Sequence, residues 1–242
     1  MWDSSPTVIR VISTTPETLA PRLVALDWGT TSLRAWLLGD GGRILESRRH
    51  DQGLLSTAAA GAERARKHKT AFNKVCGDWL CANTTLPAIA CGMVGSAQGW
   101  HEAGYLTVPT DLVIDAADLI TVRHDLGDLH LVPGLRMAPR GTVSGDFMRG
   151  EETQLIGVLD GLTDTDGPLT LVLPGTHTKW VRMHNRKVIS FTTVMSGELF
   201  ALVVQHGILA LTAAKGERDD AAFARGLAAG ADDARGLSLI HI

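Results

Sequence analysis

Two stretches of the chain share one order of features and constrain its fold more than any other part. Residues 23–36 read LVALDWGTTSLRAW, and residues 169–181 read LTLVLPGTHTKWV. Each begins as an apolar run, passes through a turn that contains Gly and Thr, and continues into a second run rich in apolar residues. Short apolar runs separated by turn residues are typical of hairpins with buried strands. The sequence therefore predicts two hairpins whose tips carry glycine and hydroxyl groups.

A similar series of elements is predicted around each hairpin. After the first come a Gly-rich turn at 39–42, a third strand at 43–50 and a helix at 58–81. After the second come strands at 181–183 and 188–194 and a helix that begins with Ser196 as its N-cap. Further strands are predicted at 86–91 and 129–132 and a helix at 149–159. Three strands joined by short turns favour an antiparallel meander. This pattern indicates an α/β chain whose second half repeats the first in outline. The polar stretch at 161–168 predicts a boundary between domains at 23–165 and 166–242.

Composition excludes several classes of partner. The net charge is −3 and no dense basic patch occurs, so we expect no nucleic acid. No apolar run approaches the ~20 residues that span a bilayer, so we expect no membrane. The three cysteines, Cys76, Cys81 and Cys91, fit no zinc spacing and indicate reduced thiols in a cytoplasmic protein. Residues 1–22 are rich in Ser, Thr and Pro, lack the pattern of a secretory signal, and are expected to be a disordered extension.

The Asp at the end of the first strand indicates a role for a cation. Asp27 is followed by Gly29, Thr30 and Thr31, whose backbone N–H groups and hydroxyls could bind an anion at the hairpin tip. A carboxylate repels phosphate, so Asp27 makes sense there if a divalent cation lies between the two. Taken alone, the same residues also fit an ordinary β-turn in which Asp27 caps its own backbone.

The second turn favours the phosphate interpretation, because two such turns could bind a polyphosphate from both sides. Gly175 and Thr176 would supply this second set of donors. His177 fits either a phosphate donor or a structural turn residue. Lys179 could add positive charge, although a Lys after a strand more often faces solvent.

The paired hairpins resemble the phosphate-binding hairpins of the actin-like ATPase superfamily, which includes hexokinase, glycerol kinase and actin. Five segments occur in order: LDWGTTSLRAW at 26–36, CGMVGSAQGW at 91–100, MRGEETQLIG at 148–157, LPGTHTKWV at 173–181 and TVMSGELF at 193–200. Together they are similar to the 2-dehydro-3-deoxygalactonokinase family over about residues 23–227. The resemblance implies an α/β fold of two ribonuclease H-like, actin-type ATPase domains, the second truncated.

The same resemblance implies a sugar-acid kinase of galactonate catabolism. Its substrates would be ATP and the sugar acid 2-dehydro-3-deoxy-D-galactonate, phosphorylated on its terminal hydroxyl to the 6-phosphate. Asp27 would hold Mg²⁺ through water. The phosphates would be bound by Gly29, Thr30 and Thr31 on one side and by Gly175, Thr176 and His177 on the other. No particular oligomeric state is predicted.

A sugar hydroxyl needs a base, and carboxylates cluster in the segment GDFMRGEETQ at 145–154. On a helix that starts near Met148, Glu151 and Glu152 point about 100° apart, so only one of them faces a cleft squarely. Superfamily kinases place the base at or before the start of such a helix, which favours Glu151 and, second, Asp146. Helix-start carboxylates without a catalytic role are the alternative. Arg149 could bind the substrate carboxylate or form a surface ion pair.

The Gly-rich loop at 91–100 offers sugar contacts by the same resemblance. Ser96 and Gln98 provide a hydroxyl and an amide for a polyol, and Trp100 fits an apolar wall or a core aromatic.

The C-terminal part departs from the family pattern. After Gly216 the family continues into a Gly-rich adenosine-binding turn, whereas this chain reads ERDDAAFARGLAAGADDARGLSLIHI. We therefore expect an incomplete second domain, exposed apolar surface and weak activity. A kinase for another hexonate or ketose, a phosphohydrolase and an inactive fragment are the alternatives.

Overall fold

The two predicted hairpins are both present, and each is the start of a three-stranded antiparallel meander. The computed structural model describes residues 20–139, 141, 144–162, 167–211 and 219–232. Contacts group the chain into two compact units, Met1–Met195 and Ser196–Ile242. Most of the predicted extension, the predicted boundary at 165/166 and residues 233–242 lie outside the described residues.

The largest sheet of the first unit has six strands and is built around the first hairpin. Its strand order is β3-β2-β1-β4-β8-β7. β1 pairs with β2 antiparallel and with β4 parallel, and Asp27 lies opposite both Arg34 and Cys91 in these registers. The strands are β1 (Leu23–Trp28), β2 (Leu33–Leu38), β3 (Ile44–His50), β4 (Ala88–Gly92), β7 (Ile120–His124) and β8 (Gly127–Leu131). The predicted strands at 43–50, 86–91 and 129–132 are therefore confirmed, with ends shifted by at most two residues.

Helices α1 (Leu54–Thr57) and α2 (Gly61–Ala82) follow the first meander. Alternate residues of β1 are buried: Val24, Leu26 and Trp28 belong to one core cluster with Phe72 and other residues of α2. This alternation follows from the two-residue period of a strand. Burial of the apolar face of α2 stabilises it, as it does most amphipathic helices. The helix predicted at 58–81 is confirmed.

Two smaller sheets complete the first unit. One has the order β10-β9-β5 and the other β11-β12-β13-β6. The elements are β5 (Tyr105–Val108), β6 (Thr110–Asp111), β9 (Gly134–Met137), β10 (Asp146–Met148), α3 (Glu151–Gly161), β11 (Pro168–Leu173), β12 (Thr178–His184) and β13 (Lys187–Val194). A second core joins Leu135, Met148 and Leu155 to Val181 and Phe191. It therefore links α3 and β10 to the second meander.

The second unit contains helices α4 (Ser196–His206) and α5 (Asp220–Asp232) in its described part. The predicted helix start at Ser196 is confirmed. Several large apolar side chains of this unit are exposed: Leu199, Phe200, Ile208, Leu211 and Phe223. Among the described residues of the whole chain, no helix is both long and apolar enough to cross a bilayer. The chain is a mixed α/β protein.

Candidate functional site

A cavity of about 400 Å³ lies in the first unit where four connections meet. These are the turn after β1, the loop after β4, the turn between β10 and α3, and the turn between β11 and β12. They come from distant parts of the sequence, and the second core and the six-stranded sheet bring them together. The predicted site residues that line the cavity are Asp27, Gly29, Thr30, Ser96, Arg149, Glu151, Gly175, Thr176 and His177. The two Gly-Thr turns therefore line one cavity.

Four predicted site residues are not among those that line it. Thr31 is exposed at the hairpin tip, and Gln98 is exposed in the loop after β4. The indole of Trp100 packs against the rings of Phe72 and His124 at centroid distances of 5.7 and 5.8 Å, as a core aromatic does. The fourth is Asp146, which lies on β10. Ser96 lines the cavity with its hydroxyl donating to the carbonyl of Met93 at 2.8 Å.

The turn after β1 is held from behind by the segment that starts α1. The backbone N–H groups of Leu54 and Leu55 donate to the carbonyls of Gly29 and Thr30, both at 3.0 Å, and that of Gly53 donates to Thr31 at 3.3 Å. A Cβ on Gly53 would lie 2.4 Å from the carbonyl carbon of Thr31. The carbonyls of the turn thus accept hydrogen bonds from the start of α1, and Gly29 and Thr30 line the cavity. Sequence reasoning missed Gly53, because a close backbone contact leaves no pattern beyond the glycine itself.

Asp27 is paired with a cation from the neighbouring strand. Its Oδ2 lies 3.2 Å from Nη1 of Arg34, its cross-strand partner, and 30% of the Asp27 side chain is exposed. Because the pair is partly solvated, it contributes little to stability. It does orient the carboxylate at the cavity. Arg34 lies directly opposite Asp27 in the hairpin, so the two side chains share one face of the sheet. This cross-strand pair could have been predicted from the hairpin pattern.

The two glutamates at the start of α3 divide as their angular separation predicts. Oε2 of Glu151 accepts from the backbone N–H of Arg149 at 3.0 Å, and Glu151 lines the cavity. Glu152 is completely buried, and both of its oxygens accept from the N–H of Gly150, at 2.7 and 2.9 Å. Burial raises the pKa of Glu152 to about 7, against the lowering effect of the backbone hydrogen bonds that it accepts. Glu151 is therefore the one that faces the cavity.

Gly150 itself has φ of +106°, and Gly92 has φ of +87°. Both angles lie in the region that favours glycine. A Cβ on Gly92 would lie 2.6 Å from the carbonyl oxygen of Trp28, and a Cβ on Gly150 would lie 3.3 Å from the Cα of Gly92. Gly92 therefore has no room for a side chain between the end of β1 and the start of α3, and Gly150 has little.

Arg149 enters the cavity from the turn between β10 and α3. Its guanidinium carbon lies 4.2 Å from the centroid of the Tyr105 ring, and Nη2 donates to the carbonyl of Ala103 at 2.8 Å. Its Nε and Nη1 are buried and find no partner among the described residues. Arg149 also makes no ion pair with any residue that the structure describes. Unsatisfied buried donors of this kind call for an acceptor, and a carboxylate matches the guanidinium fork.

The sequence left two interpretations of Lys179, and the favoured one, a side chain that faces solvent, is wrong. Only 5% of its surface is exposed, and it lines the cavity. Its Nζ donates to the carbonyl of Phe147 at 2.9 Å and to Oγ1 of Thr193 at 2.8 Å. The expectation failed because β12 is the central strand of its meander and the lysine is bonded to Phe147 of β10 and to Thr193 of β13. The residue pattern of one strand does not show which other strands lie against it.

Asp146 also binds Thr193, the residue that accepts a hydrogen bond from Lys179. Its Oδ2 accepts from the backbone N–H of Thr193 and its Oδ1 from the Thr193 hydroxyl, both at 2.7 Å. It therefore joins β10 to β13. Of the two predicted candidates for a base, Glu151 lines the cavity and Asp146 is bound to a neighbouring strand.

A buried histidine supports the floor of the site. His68 of α2 is fully buried, and its ring centroid lies 5.3 Å from that of Trp28. Its two nitrogens lie 3.1 Å from Oγ1 of Thr57 and 2.9 Å from the carbonyl of Arg64. Burial lowers the pKa of His68 below its ordinary value. A histidine within an otherwise basic helical segment gave no signal of this role.

Comparison with known proteins places this site in a family. The model of the 2-keto-3-deoxy-galactonokinase family matches residues 27–240. A protein of Rhizobium meliloti (strain 1021), named as a probable 2-dehydro-3-deoxygalactonokinase, is 38% identical over 218 residues, covering 89% of this chain and 65% of the relative. The 2-dehydro-3-deoxygalactonokinase of Escherichia coli (strain K12) is 37% identical over 214 residues, covering 88% of this chain and 66% of the relative. The chain thus spans just under two thirds of the length of the curated relatives it matches.

A solved structure extends the agreement to three dimensions. A crystal structure assigned to a 2-dehydro-3-deoxygalactonokinase protein from Sinorhizobium meliloti superposes with a TM-score of 0.67 at 36% identity. The match covers 81% of this chain and 60% of that one. By sequence and by fold, this chain therefore belongs to the 2-keto-3-deoxy-galactonokinase family.

Proposed function

We propose that this protein transfers the γ-phosphoryl group of ATP to the terminal hydroxyl of 2-dehydro-3-deoxy-D-galactonate, giving the 6-phosphate. The observation that carries the proposal is the meeting around one cavity of two Gly-Thr turns, the carboxylate of Glu151 and the guanidinium of Arg149, two of whose nitrogens are unsatisfied. Each of the three chemical groups in the reaction then has a matching partner. The two turns would donate hydrogen bonds to the phosphates, Glu151 would accept the proton of the hydroxyl, and Arg149 would bind the carboxylate of the sugar acid. The names of the two curated relatives support the same substrate.

The phosphates would be bound by the two turns. Gly29 and Thr30 line the cavity on the side of β1, and Gly175, Thr176 and His177 line it on the side of β11, with Thr31 beside them at the hairpin tip. Turns rich in N–H groups and hydroxyls bind phosphate oxygens without needing a charged side chain. Binding from both sides would hold the triphosphate in line with the acceptor, which is the main task of a phosphoryl-transfer enzyme.

The residues present fit Mg²⁺ at Asp27. The carboxylate is partly exposed at the cavity and offers hard oxygen ligands of the kind that Mg²⁺ takes, directly or through water. When bound there, the ion would neutralise phosphate charge. Arg34 would keep the carboxylate oriented through its contact with Oδ2.

Glu151 would act as the base. One of its oxygens is held by the N–H of Arg149, which fixes the side chain at the cavity. The acceptor's O–H bond would break as its oxygen bonds to the γ-phosphorus, the proton would pass to Glu151, and ADP would leave. Asp146 fits this role less well, because both of its oxygens are bound to Thr193.

Arg149 would bind the carboxylate of the sugar acid. Its stacking on Tyr105 and its bond to Ala103 fix the guanidinium plane, so that Nε and Nη1 keep one direction. A bidentate contact would place the acid at one end of the cavity. Ser96 would contact the polyol from the loop after β4, with Gln98 at the exposed edge of that loop, and Trp100 would support the loop from the core.

We also propose that the two meanders belong to two related actin-type ATPase domains, at 23–165 and 166–242. The matching order of strand, Gly-Thr turn and two further strands supports this division. The described thiols are free, in keeping with a cytoplasmic enzyme that acts on small molecules.

A coupled assay of ADP release tests the proposal. The chain is incubated with Mg-ATP and, in parallel, with 2-dehydro-3-deoxygalactonate, its C4 epimer, a ketohexose or no acceptor. Release that depends on the galactonate derivative is expected, and ³¹P NMR of the product should show the 6-phosphate. Release without any acceptor would instead support a phosphohydrolase, and turnover with the ketohexose alone would support another sugar kinase.

The base is tested by comparing Glu151→Gln with Asp146→Asn. Loss of a general base lowers kcat by about 10²- to 10⁴-fold. We expect this fall for Glu151→Gln at an unchanged melting temperature. Glu102→Gln is the matched control, since Glu102 is exposed and does not line the cavity. Full activity of Glu151→Gln would exclude Glu151 as the base.

A further inference from the structure

Lys179 is a cation with an unusual position in this fold. It lies in the interior of a three-stranded meander, is almost fully buried, and lines the cavity two residues after the turn at Gly175–His177. Lysines are rarely buried unless they are paired, because the ammonium loses its hydration. The position therefore calls for a compensating charge.

No carboxylate contacts Lys179 directly among the residues that the structure describes. Its two hydrogen bonds go to a carbonyl, that of Phe147, and to a hydroxyl, that of Thr193. The hydroxyl in turn donates a hydrogen bond to Asp146 Oδ1 at 2.7 Å. Asp146 is thus linked to Lys179 through Thr193, which holds the lysine in place without neutralising it by contact. An ammonium has three donors, and two of them are used here.

We propose that Lys179 binds the phosphoryl group undergoing transfer, with Thr193 and Asp146 as the residues that position it. Lys179 follows the turn at Gly175–His177 by two residues and lines the same cavity as that turn, which brings its charge close to the predicted phosphate donors. The identity of the anion rests on the proposed kinase function; the anion-binding role of Lys179 does not. A fixed cation that meets charge as it develops stabilises the transition state more than the ground state.

The binding test uses inorganic tripolyphosphate, which carries the charge of the nucleotide without its adenosine. Isothermal titration compares the wild-type chain with Lys179→Met, a neutral variant of similar length. We expect Lys179→Met to bind about tenfold more weakly, since a hydrogen bond to a charged group is lost. The matched control is Lys187→Met, on the neighbouring strand of the same sheet. Lys187 lies 3.9 Å from Asp111, is partly exposed, does not line the cavity and should leave the affinity unchanged.

The kinetic test separates phosphoryl binding from a purely structural role. Lys179→Met should lower kcat by about 100-fold, as removal of a transition-state donor does, and leave KM for the sugar acid unchanged. Thr193→Val removes the positioning hydroxyl and should lower kcat less, whereas Thr193→Ser should restore it. If Lys179→Met does not fold by circular dichroism, the comparison of Thr193→Val with Thr193→Ser decides, and equal kcat values in these two would overturn the proposal.

The outcomes distinguish this inference from the proposed function. Equal tripolyphosphate affinity in wild type and folded Lys179→Met overturns the role of Lys179 and leaves the kinase proposal intact. Binding that depends on Lys179, in a chain that phosphorylates no sugar acid, supports Lys179 and rejects the kinase proposal. A wild-type chain that binds no tripolyphosphate overturns the inference.

Discussion

Both carboxylate oxygens of Glu152 accept a hydrogen bond from the backbone N–H of Gly150, at 2.7 and 2.9 Å. The contact lies where α3 begins, and it holds the carboxyl of Glu152 in the interior. The preceding glutamate, Glu151, lines the cavity. The raised pKa of Glu152 makes this arrangement sensitive to pH.

Glu152→Gln should flatten the pH dependence of stability between pH 4.5, the ordinary pKa of a glutamate, and about pH 7. Because the pKa of Glu152 is about 7 in the folded state and lower in the unfolded chain, the folded state binds the proton more tightly. This stabilisation is complete below the unfolded pKa and is lost as the pH rises through about 7. The wild type should lose up to about 1.4 kcal/mol of unfolding free energy per pH unit within that window. Urea unfolding at pH 5, 6, 7 and 8 measures the slope. An unchanged slope in Glu152→Gln would contradict the assignment.

His68 should affect the pH dependence of stability in the direction opposite to that of Glu152. The folded pKa of His68 is lowered by burial, so the unfolded chain binds the proton more tightly, and stability is lost as the pH falls from its ordinary value of about 6.5 toward the folded one. Thermal melting between pH 7.5 and 5.5 should show this loss in the wild type and less of it in His68→Gln. Some loss should remain, because burial also lowers the pKa of His124. His101→Gln, at an exposed position, should behave as wild type.

Gly53→Ala should displace the turn after β1. The added methyl group would lie within 2.5 Å of three backbone atoms of Thr30, Thr31 and Ser32, none of which can move without changing the turn. Overpacking of this kind destabilises by about 1–3 kcal/mol. We expect a lower melting temperature and weaker binding of tripolyphosphate. Gly157→Ala, in α3 with no neighbour within 4 Å of its added Cβ, should leave both unchanged. Equal binding by Gly53→Ala would show that the turn tolerates the shift.

Arg149→Lys should weaken binding of the acid substrate. Lysine keeps the charge but loses the planar fork and the stacking on Tyr105, whose ring centroid lies 4.2 Å from the guanidinium carbon. We expect KM for the sugar acid to rise about tenfold or more, with a smaller change in kcat. Steady-state kinetics over both substrates measures the split. Arg136→Lys is the matched control, since Arg136 is exposed on β9, donates to Thr107 at 2.8 Å and does not line the cavity. An unchanged KM in Arg149→Lys would argue against a carboxylate at this position.

Local pattern was sufficient to locate most of the elements around the site. The apolar runs at 23–28 and 168–173 are strands, and the Gly-Thr turns that follow them line the cavity. The 100° step of a helix also predicted that only one of Glu151 and Glu152 faces a cleft. These features depend on residues close in sequence, where the backbone period decides the outcome.

Contacts between distant segments were not predictable in the same way. The pairing of Asp146 with Thr193, which binds one of the two candidate bases, joins residues 47 positions apart. Lys179 is buried and bonded to Phe147 of β10 and Thr193 of β13, although its local pattern favoured solvent exposure. Gly53 supports the first turn through backbone contacts that no hydropathy pattern records.

The sequence by itself therefore determined the two hairpins, their Gly-Thr tips, the helix that begins with two glutamates, and the resemblance to a kinase family. The tertiary structure decided which side chains share the cavity and in what state. Glu151 lines it, Glu152 is buried with a raised pKa, and Lys179 is buried with no carboxylate in direct contact in the part of the chain that the structure describes. The physical reason is that periodicity fixes which face a side chain takes, whereas desolvation and partner choice depend on what another segment places against that face.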